Sequence, residues 1–311
     1  MYKSREGANC LKLKRSRFLK RDREAVASTV GTIMALLVFL TFLSLFTNSY
    51  IPVWMQANER SHMNVVLNQF GDLKGRIDNM IVSAKITGKT EFMMYSPITL
   101  GSEGIPIFAS PTAGQLIYAP VGSPNTGFSM RFNYTLSGER VEFNESGGGF
   151  IQLWAPNRYY VQQWVAYENG AIIVKQVDGQ VVRAFPGILL QKIENKVNIV
   201  ITQIDMLGSN VTIGGTGAIG VNINLIYFES QNFTVGYGDD HGVNITMVTQ
   251  YGKAWEQYLG DICSKSGLTV GVDYRLNKVN IGEDLYYIKF QLMNVGSLIY
   301  DRAYLQISIQ V

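Results

Sequence analysis

Cysteine and histidine are almost missing from this chain of 311 residues, which has two of the first (Cys10, Cys263) and two of the second (His62, His241). Two cysteines 253 positions apart exclude a disulfide scaffold and a cysteine-based zinc cluster. No serine, cysteine or carboxylate stands in triad spacing to either imidazole. The chain is therefore read as a non-enzyme, with no catalytic residue, no metal ligand and no cofactor assigned. Charge is scarce as well, since Asp, Glu, Lys and Arg make up only 16% of residues. Glycine (31), tyrosine (17) and phenylalanine (15) are abundant, which suits a turn-rich β protein better than a helical bundle.

What charge there is collects at one end. Residues 1–24 carry nine basic side chains (Lys3, Arg5, Lys12, Lys14, Arg15, Arg17, Lys20, Arg21, Arg23) against Glu6, Asp22 and Glu24, a net of +6. The whole chain carries only +3, so the remaining 287 residues carry −3. A basic tail can hold nucleic acid, but the next segment points elsewhere, and no nucleic-acid partner is expected. From Ala25 to Asn58 no residue is charged, and twelve of the 22 positions from Ala25 to Phe46 are Val, Ile, Leu or Phe. Each of these contributes roughly −0.3 to −0.6 kcal/mol to membrane insertion at the centre of a helix, enough to outweigh the small polar residues among them. No small-x-small cleavage site follows Phe46, so the segment reads as a retained anchor instead of a removable signal. The basic cluster before it places the N-terminus in the cytoplasm and the chain beyond about Tyr50 outside the cell, with Tyr50 and Trp54 at the outer interface.

The stretch Ala25-Val26-Ala27-Ser28-Thr29-Val30-Gly31-Thr32-Ile33-Met34, directly after the polybasic leader, resembles the N-terminal segment of archaeal type IV pilin-like proteins. The downstream plan of helical stalk, Gly-rich β domain and late Trp-bearing helix is similar to those membrane-anchored surface proteins in outline. The resemblance implies a prepilin-type peptidase as partner, cutting after Ala25 to leave Val26 as the new N-terminus. Glu24 stands where that family usually carries a basic residue, so the cut and the uncut anchor are both carried forward. The carboxylate five residues into bacterial mature pilins has no counterpart, Val30 being there instead.

Ala27, Gly31 and Ala35 recur every four residues, a spacing that lets helix backbones approach closely in lipid. Pro52 predicts a kink or short break, with Ile51 forced out of helical geometry. Beyond it Met63, Val66, Phe70, Leu73, Ile77, Met80 and Ala84 form an apolar stripe to about Lys85, read as one face packed on this chain's own β domain in preference to a seam between chains. The expected organisation is a basic cytoplasmic leader (1–24), a transmembrane helix (25–51), an amphipathic stalk helix (52–85) and an extracytoplasmic β domain (86–311).

That domain is expected to be mainly antiparallel and sandwich-like, giving an α+β chain. Alternation marks strands at Val197-Ile199-Ile201, Ile288-Phe290-Leu292 and Leu305-Ile307-Ile309-Val311. Asn169-Gly170 and Asp178-Gly179 predict a three-stranded meander over 159–187. Residues 86–128 read as the least regular part, and Trp255, Tyr258, Leu259, Ile262 and Cys263 predict one late helix capped by Gly267.

Two weak motifs carry no ligand. Ser83 to Thr90 imitates a phosphate-binding loop but lacks its first glycine and follows a helix, and Gly238-Asp239-Asp240-His241-Gly242 reads as a polar turn. Five glycosylation sequons, at Asn133, Asn144, Asn210, Asn232 and Asn244, all lie beyond the anchor and on the polar phase of local alternation. The expected function is that of a single-pass cell-surface protein of pilin-like type, a filament subunit, minor pilin or adhesive module whose partners are the membrane and copies of itself or related subunits. The alternative is a monomeric anchored domain binding carbohydrate or peptide through Trp154, Tyr159, Tyr160 and Trp164.

Overall fold

The computed structural model describes residues 6–235 and 242–310, with side chains from Val26 onward. A long helix comes first, and one unbroken helical stretch of it, Val26–Thr87, is long and apolar enough to cross a membrane. It consists of α1 (Glu6–Leu45), a π-helical stretch (Phe46–Tyr50) and α2 (Ile51–Thr87). The π stretch is the structural answer to Pro52. In α geometry the proline ring would meet the carbonyl of Asn48, and widening the preceding turn relieves this, with the Ile51 N–H bonding to the Phe46 carbonyl. The expected break is thus corrected: Ile51 keeps right-handed helical angles (φ −60°, ψ −47°). The chain divides into two compact units, Met1–Trp54 and Met55–Val311. In the first, most apolar side chains of the span stand exposed, Val38 and Phe42 among them at 68% and 66%.

In the second unit the apolar stripe of α2 is buried along its whole length. Met63, Val66, Phe70, Leu73, Ile77, Met80 and Ala84 are all inaccessible and share a core with strands of two sheets. At about 1.5–3 kcal/mol for each large side chain, this burial contributes at most on the order of 10–20 kcal/mol. Those sheets are β1-β12-β16-β10-β9 and β11-β2-β5-β6-β7-β8 in spatial order. Their members are β1 (Phe92–Thr99), β2 (Gly114–Ala119), β5 (Phe150–Ala155), β6 (Gln163–Glu168), β7 (Ala171–Gln176), β8 (Gly179–Ala184), β9 (Ile188–Ile193), β10 (Lys196–Leu207), β11 (Val211–Gly215), β12 (Ala218–Thr234) and β16 (Val295–Gln310). A third sheet, β14-β15-β13-β3-β4, is built from β3 (Gly127–Leu136), β4 (Glu139–Gly147), β13 (Val243–Thr249), β14 (Tyr274–Gly282) and β15 (Leu285–Leu292). Together with helix α3 (Gly252–Lys265) it closes a second core around Phe128, Phe132, Trp255, Phe290 and Tyr300.

The six-stranded sheet separates the two cores. Val165 and Tyr167 face the α2 core while Ala166 faces the other, as strand alternation requires. The paired strands β10 and β16 instead change allegiance along their length. Val197, Ile199, Ile201, Leu298 and Tyr300 serve the second core, whereas Ile204, Met206, Ala303, Leu305 and Ile307 serve the first. Almost every pair in the molecule is antiparallel, but β10 and β16 run parallel, Ile199 opposite Leu298 and Met206 opposite Leu305. The chain between them includes α3 and the third sheet's hairpin, a connection far longer than a parallel pair demands.

The α+β reading stands: a long N-terminal helix, then a mostly antiparallel β-rich domain with one late helix. The meander is present as β6-β7-β8, with Asn169-Gly170 in the left-handed region (φ 43° and 80°) as an Asn-Gly hairpin turn requires. Its second turn differs from expectation, since Val177 and Asp178 make it and Gly179 already pairs with Gln176. In α3 the residues Trp255, Leu259 and Cys263 are buried, and Gly267 ends the helix at φ 70°. Residues 86–128 hold two regular strands, β1 and β2, and the start of β3, so the irregular part shrinks to the connections on either side of β2. Val311 lies outside the described residues. Because α2 is core and not appendage, Phe70→Ala should destabilise the full chain by about 3–5 kcal/mol. Val65→Ala, on the exposed side of the same helix, should cost under about 1 kcal/mol. Denaturant unfolding in detergent measures both.

Candidate functional site

The first charged residue after the uncharged stretch is Glu59, and it is fully buried. It lies four residues before Met63, on the same stripe of α2. Its Oε1 accepts hydrogen bonds from the Thr112 hydroxyl (2.8 Å) and the Arg158 N–H (3.0 Å), and its Oε2 from the N–H groups of Tyr159 (2.8 Å) and Tyr160 (2.6 Å). An ionised carboxylate is acceptor-only, and here four donors from two separate loops converge on it. The arrangement leaves no lone pair for a substrate or a metal, so Glu59 acts as a tie between helix and loops. His62, one turn on, places Nε2 3.0 Å from the Thr99 carbonyl. Burial lowers its pKa against the raising effects of that bond and of Glu59.

A second buried polar group sits where β10 and β16 exchange cores. Arg302 donates from Nε to Asp205 Oδ2 (2.7 Å) and also reaches Glu145 and the Ser146 carbonyl. Asp205 Oδ1 accepts from the Gly148 N–H (2.9 Å) and from Gln203 (2.9 Å), whose own oxygen accepts from the Tyr300 hydroxyl. Gly147 is obligatory, because a Cβ there would stand 1.7 Å from Asp205 Oδ1. Every charge in this network is matched by a partner, which marks it as a joint between sheets.

Glu168 is the third. It is buried between β6 and α3, with Oε2 accepting from Trp255 Nε1 (2.8 Å) and the Thr249 hydroxyl (2.8 Å). Burial pushes its pKa up to about 7, and the two hydrogen bonds only moderate the rise. Cys263 nearby is buried too, its thiol pushed up to about 12 by burial, so it is an inert core side chain. Among the described residues no group of three or more His, Cys, Asp or Glu could hold a metal ion.

The residues singled out from the sequence are scattered. Ala27, Gly31 and Ala35 lie on α1 and are exposed, as is Val26, while the Ala25 side chain lies outside the described residues. Asn144, Asn210 and Asn232 are exposed, and Asn210 sits in the loop before β11. Asn133 and Asn244 are half-buried, and Asn244 Oδ1 is buried with no hydrogen-bond partner. Asn144, Arg131 and Asn244 occupy one cross-strand row of the third sheet, with Asn133 on the same face, so three sequons crowd onto one polar surface. The phosphate-loop imitation is the end of α2, closed by Gly88 at φ 70° with its N–H on the Ala84 carbonyl. Asp239, Asp240 and His241 lie outside the described residues.

The four aromatics do not share a face. Trp154 and Trp164 are cross-strand partners stacked at 6.3 Å with Lys175 over Trp164, whereas Tyr159 and Tyr160 belong to the loop that Glu59 holds. A groove that the sequence did not announce lies between α3 and the β8–β9 connection, about 270 Å³ in volume, lined by Val182, Phe185, Leu189, Tyr258, Ile262 and Lys265. Phe185 stacks on Tyr258 at 5.3 Å and is itself 60% exposed. It comes from the apolar run before β9, too short to read as anything but strand.

Set against protein-family models, curated proteins and solved structures, the chain matches none. Its site chemistry is therefore judged on geometry, and that geometry includes buried ties and an apolar groove.

Glu168 gives a measurable pH dependence. Its folded pKa of about 7 lies above the ordinary glutamate value of 4.5, so between those two values the unfolded chain releases the proton first. Stability then falls as pH rises through that window and stays lower above it, by on the order of 3 kcal/mol for this group. Glu168→Gln keeps an acceptor for Trp255 and Thr249 without the charge. Thermal unfolding should show the variant gaining on the parent as pH goes from 4 to 8.

Proposed function

We propose that the chain is a non-enzymatic, membrane-anchored surface protein of pilin-like type, working as a filament subunit, minor pilin or adhesive module. The observation that carries this reading is one helix with two different solvents. Its first part presents bare apolar side chains such as Val38, Phe39 and Phe42, while the stripe from Met63 to Ala84 is the centre of a β domain's core. A span exposed in this way suits lipid or the spans of neighbouring chains, and it is the division of labour a pilin-type subunit needs. The polybasic leader favours a cytoplasmic N-terminus and an extracellular domain. Exposed Asn144, Asn210 and Asn232 fit a glycosylated outer surface.

The apolar groove between α3 and β9 favours a second reading, an anchored domain that binds peptide. Exposed Phe185 and Leu189 with Lys265 at the rim suit an apolar side chain next to a carboxylate. The Trp154–Trp164 stack offers carbohydrate less, because Trp154 Nε1 is buried.

Gly31 separates the readings. A Cβ placed there meets nothing within 4 Å in its own chain, so Gly31→Leu leaves the subunit's fold alone and reports on neighbours. For a pilin-type subunit, protein from its own cells should begin at Val26, or Gly31→Leu should sharply reduce crosslinked oligomers whether or not the leader is cut. A native N-terminus at Met1, together with crosslinking indifferent to Gly31→Leu, would move the assignment to the anchored binding domain.

A further inference from the structure

The connection between β1 and β2 contains a small rigid hairpin. Ile105 and Ala109 exchange two backbone hydrogen bonds of 2.9 Å, and Ser102 pairs with Thr112 below them. The tip is Pro106-Ile107-Phe108. Ile107 is completely exposed (101%) and sits at φ 70°, and Phe108 is 45% exposed. A left-handed backbone is costly for a β-branched residue and natural for glycine or asparagine, so local preference argues against isoleucine at this position. Nothing in the described chain covers its side chain. Strain and full exposure of a large apolar group together point to something outside the chain that receives it.

The base of the hairpin shows what that is. Thr112 donates to Glu59, Asn58 Nδ2 donates to the Glu103 carbonyl (3.3 Å), and Arg158 Nη1 reaches Ser110 Oγ (3.4 Å). The hairpin is thus fastened to residues 58 and 59. Trp54 precedes Asn58 by four residues, a reach of at most about 14 Å whatever the angle at the junction. From Glu103 to Ile107 is a similar step. The span's exposed Tyr50 and Trp54 suit a membrane–water interface, and exposed Arg60 and Arg158 flank the same end of the domain.

We infer that the tip Pro106-Ile107-Phe108 is a lipid-contact element, inserting Ile107 and Phe108 into the interfacial layer of the membrane that holds the anchor. The inference rests on the anchoring reading above. Two side chains would not hold a free domain to a bilayer. With the anchor already embedded, however, the contact is intramolecular and needs little affinity to be occupied. Exposed Arg60 and Arg158 would add attraction to anionic headgroups.

The test uses the full chain with Cys10→Ser, so that buried Cys263 leaves a single reactive thiol wherever one is introduced. Ile107→Cys carries an environment-sensitive fluorophore, and the protein is reconstituted at low density in vesicles of phosphatidylcholine and phosphatidylglycerol with or without nitroxide-labelled lipid. Parallel labels go at Val38→Cys, in the span, and at Val82→Cys, 24 residues beyond Asn58 on α2, about 36 Å along the helix. The expected result is blue-shifted emission at position 107, with most of it lost to the nitroxide lipid, strong quenching at 38 and little at 82. Water-like emission at 107 with quenching at 38 overturns the inference and leaves the anchor intact. A blue shift at 107 without nitroxide quenching also overturns it, by showing protein instead of lipid around the tip. Absence of quenching at 38 overturns the anchoring reading and the inference with it.

Discussion

Eight positions on α2, from Glu59 through Met63, Val66, Phe70, Leu73, Ile77 and Met80 to Ala84, share one buried face, and the first core of the outer domain is assembled on them. The sheets on either side could not close without that face. Each presents apolar residues, such as Leu153, Val165, Val221 and Leu305, that would otherwise meet water. The stripe also fixes position along its length. Glu59 at one end gathers the N–H groups of residues 158–160, and at the other Lys85 donates to Asp301 (2.6 Å). Apolar burial supplies the driving force, and these charged ends set the register, because a one-turn slip would leave the Glu59 carboxylate buried and unmatched.

Much of this was legible in the sequence where the information is local. The three-and-four spacing of the stripe, the alternation at Val197-Ile199-Ile201 and Ile288-Phe290-Leu292, the Asn169-Gly170 turn and the Trp255 helix each need only a short window. What was hidden depends on partners far apart in the chain. The parallel pairing of β10 with β16 joins Ile199 to Leu298, and no window contains both. Arg302, Asp205 and Glu145 look like ordinary charges until three strands meet. Glu59 carried a signal that could have been used, an isolated acid on an otherwise apolar stripe one turn before Met63. Ile107 carried none, since its exposure and positive φ exist only once the hairpin closes. The Pro52 expectation failed for a simpler reason: a helix can widen by one residue instead of breaking.

Among the described residues, the charged groups of the interior are engaged with one another, with polar side chains and with the backbone. Glu59, Asp205 and Arg302 are engaged by protein donors and acceptors, and Glu168 is held by Trp255 and Thr249. Groups so matched stabilise a shape. Exposed surfaces with apolar character include the span around Val38, the tip at Ile107 and the groove at Phe185. Each suits contact with something large, whether lipid, a neighbouring span or a peptide, which agrees with the proposed surface role.

The central claim, that α2 belongs to its own chain's core, is tested most directly by hydrogen exchange on the full chain in detergent at two protein concentrations, one favouring assembly and one low enough to leave monomers. Amides of residues 63–84 should be as slow as those of β5 and β16 and unchanged by dilution, because their protection comes from intrachain packing. Loss of protection over 63–84 on dilution, with the strands still slow, would contradict it and make the stripe a seam between chains.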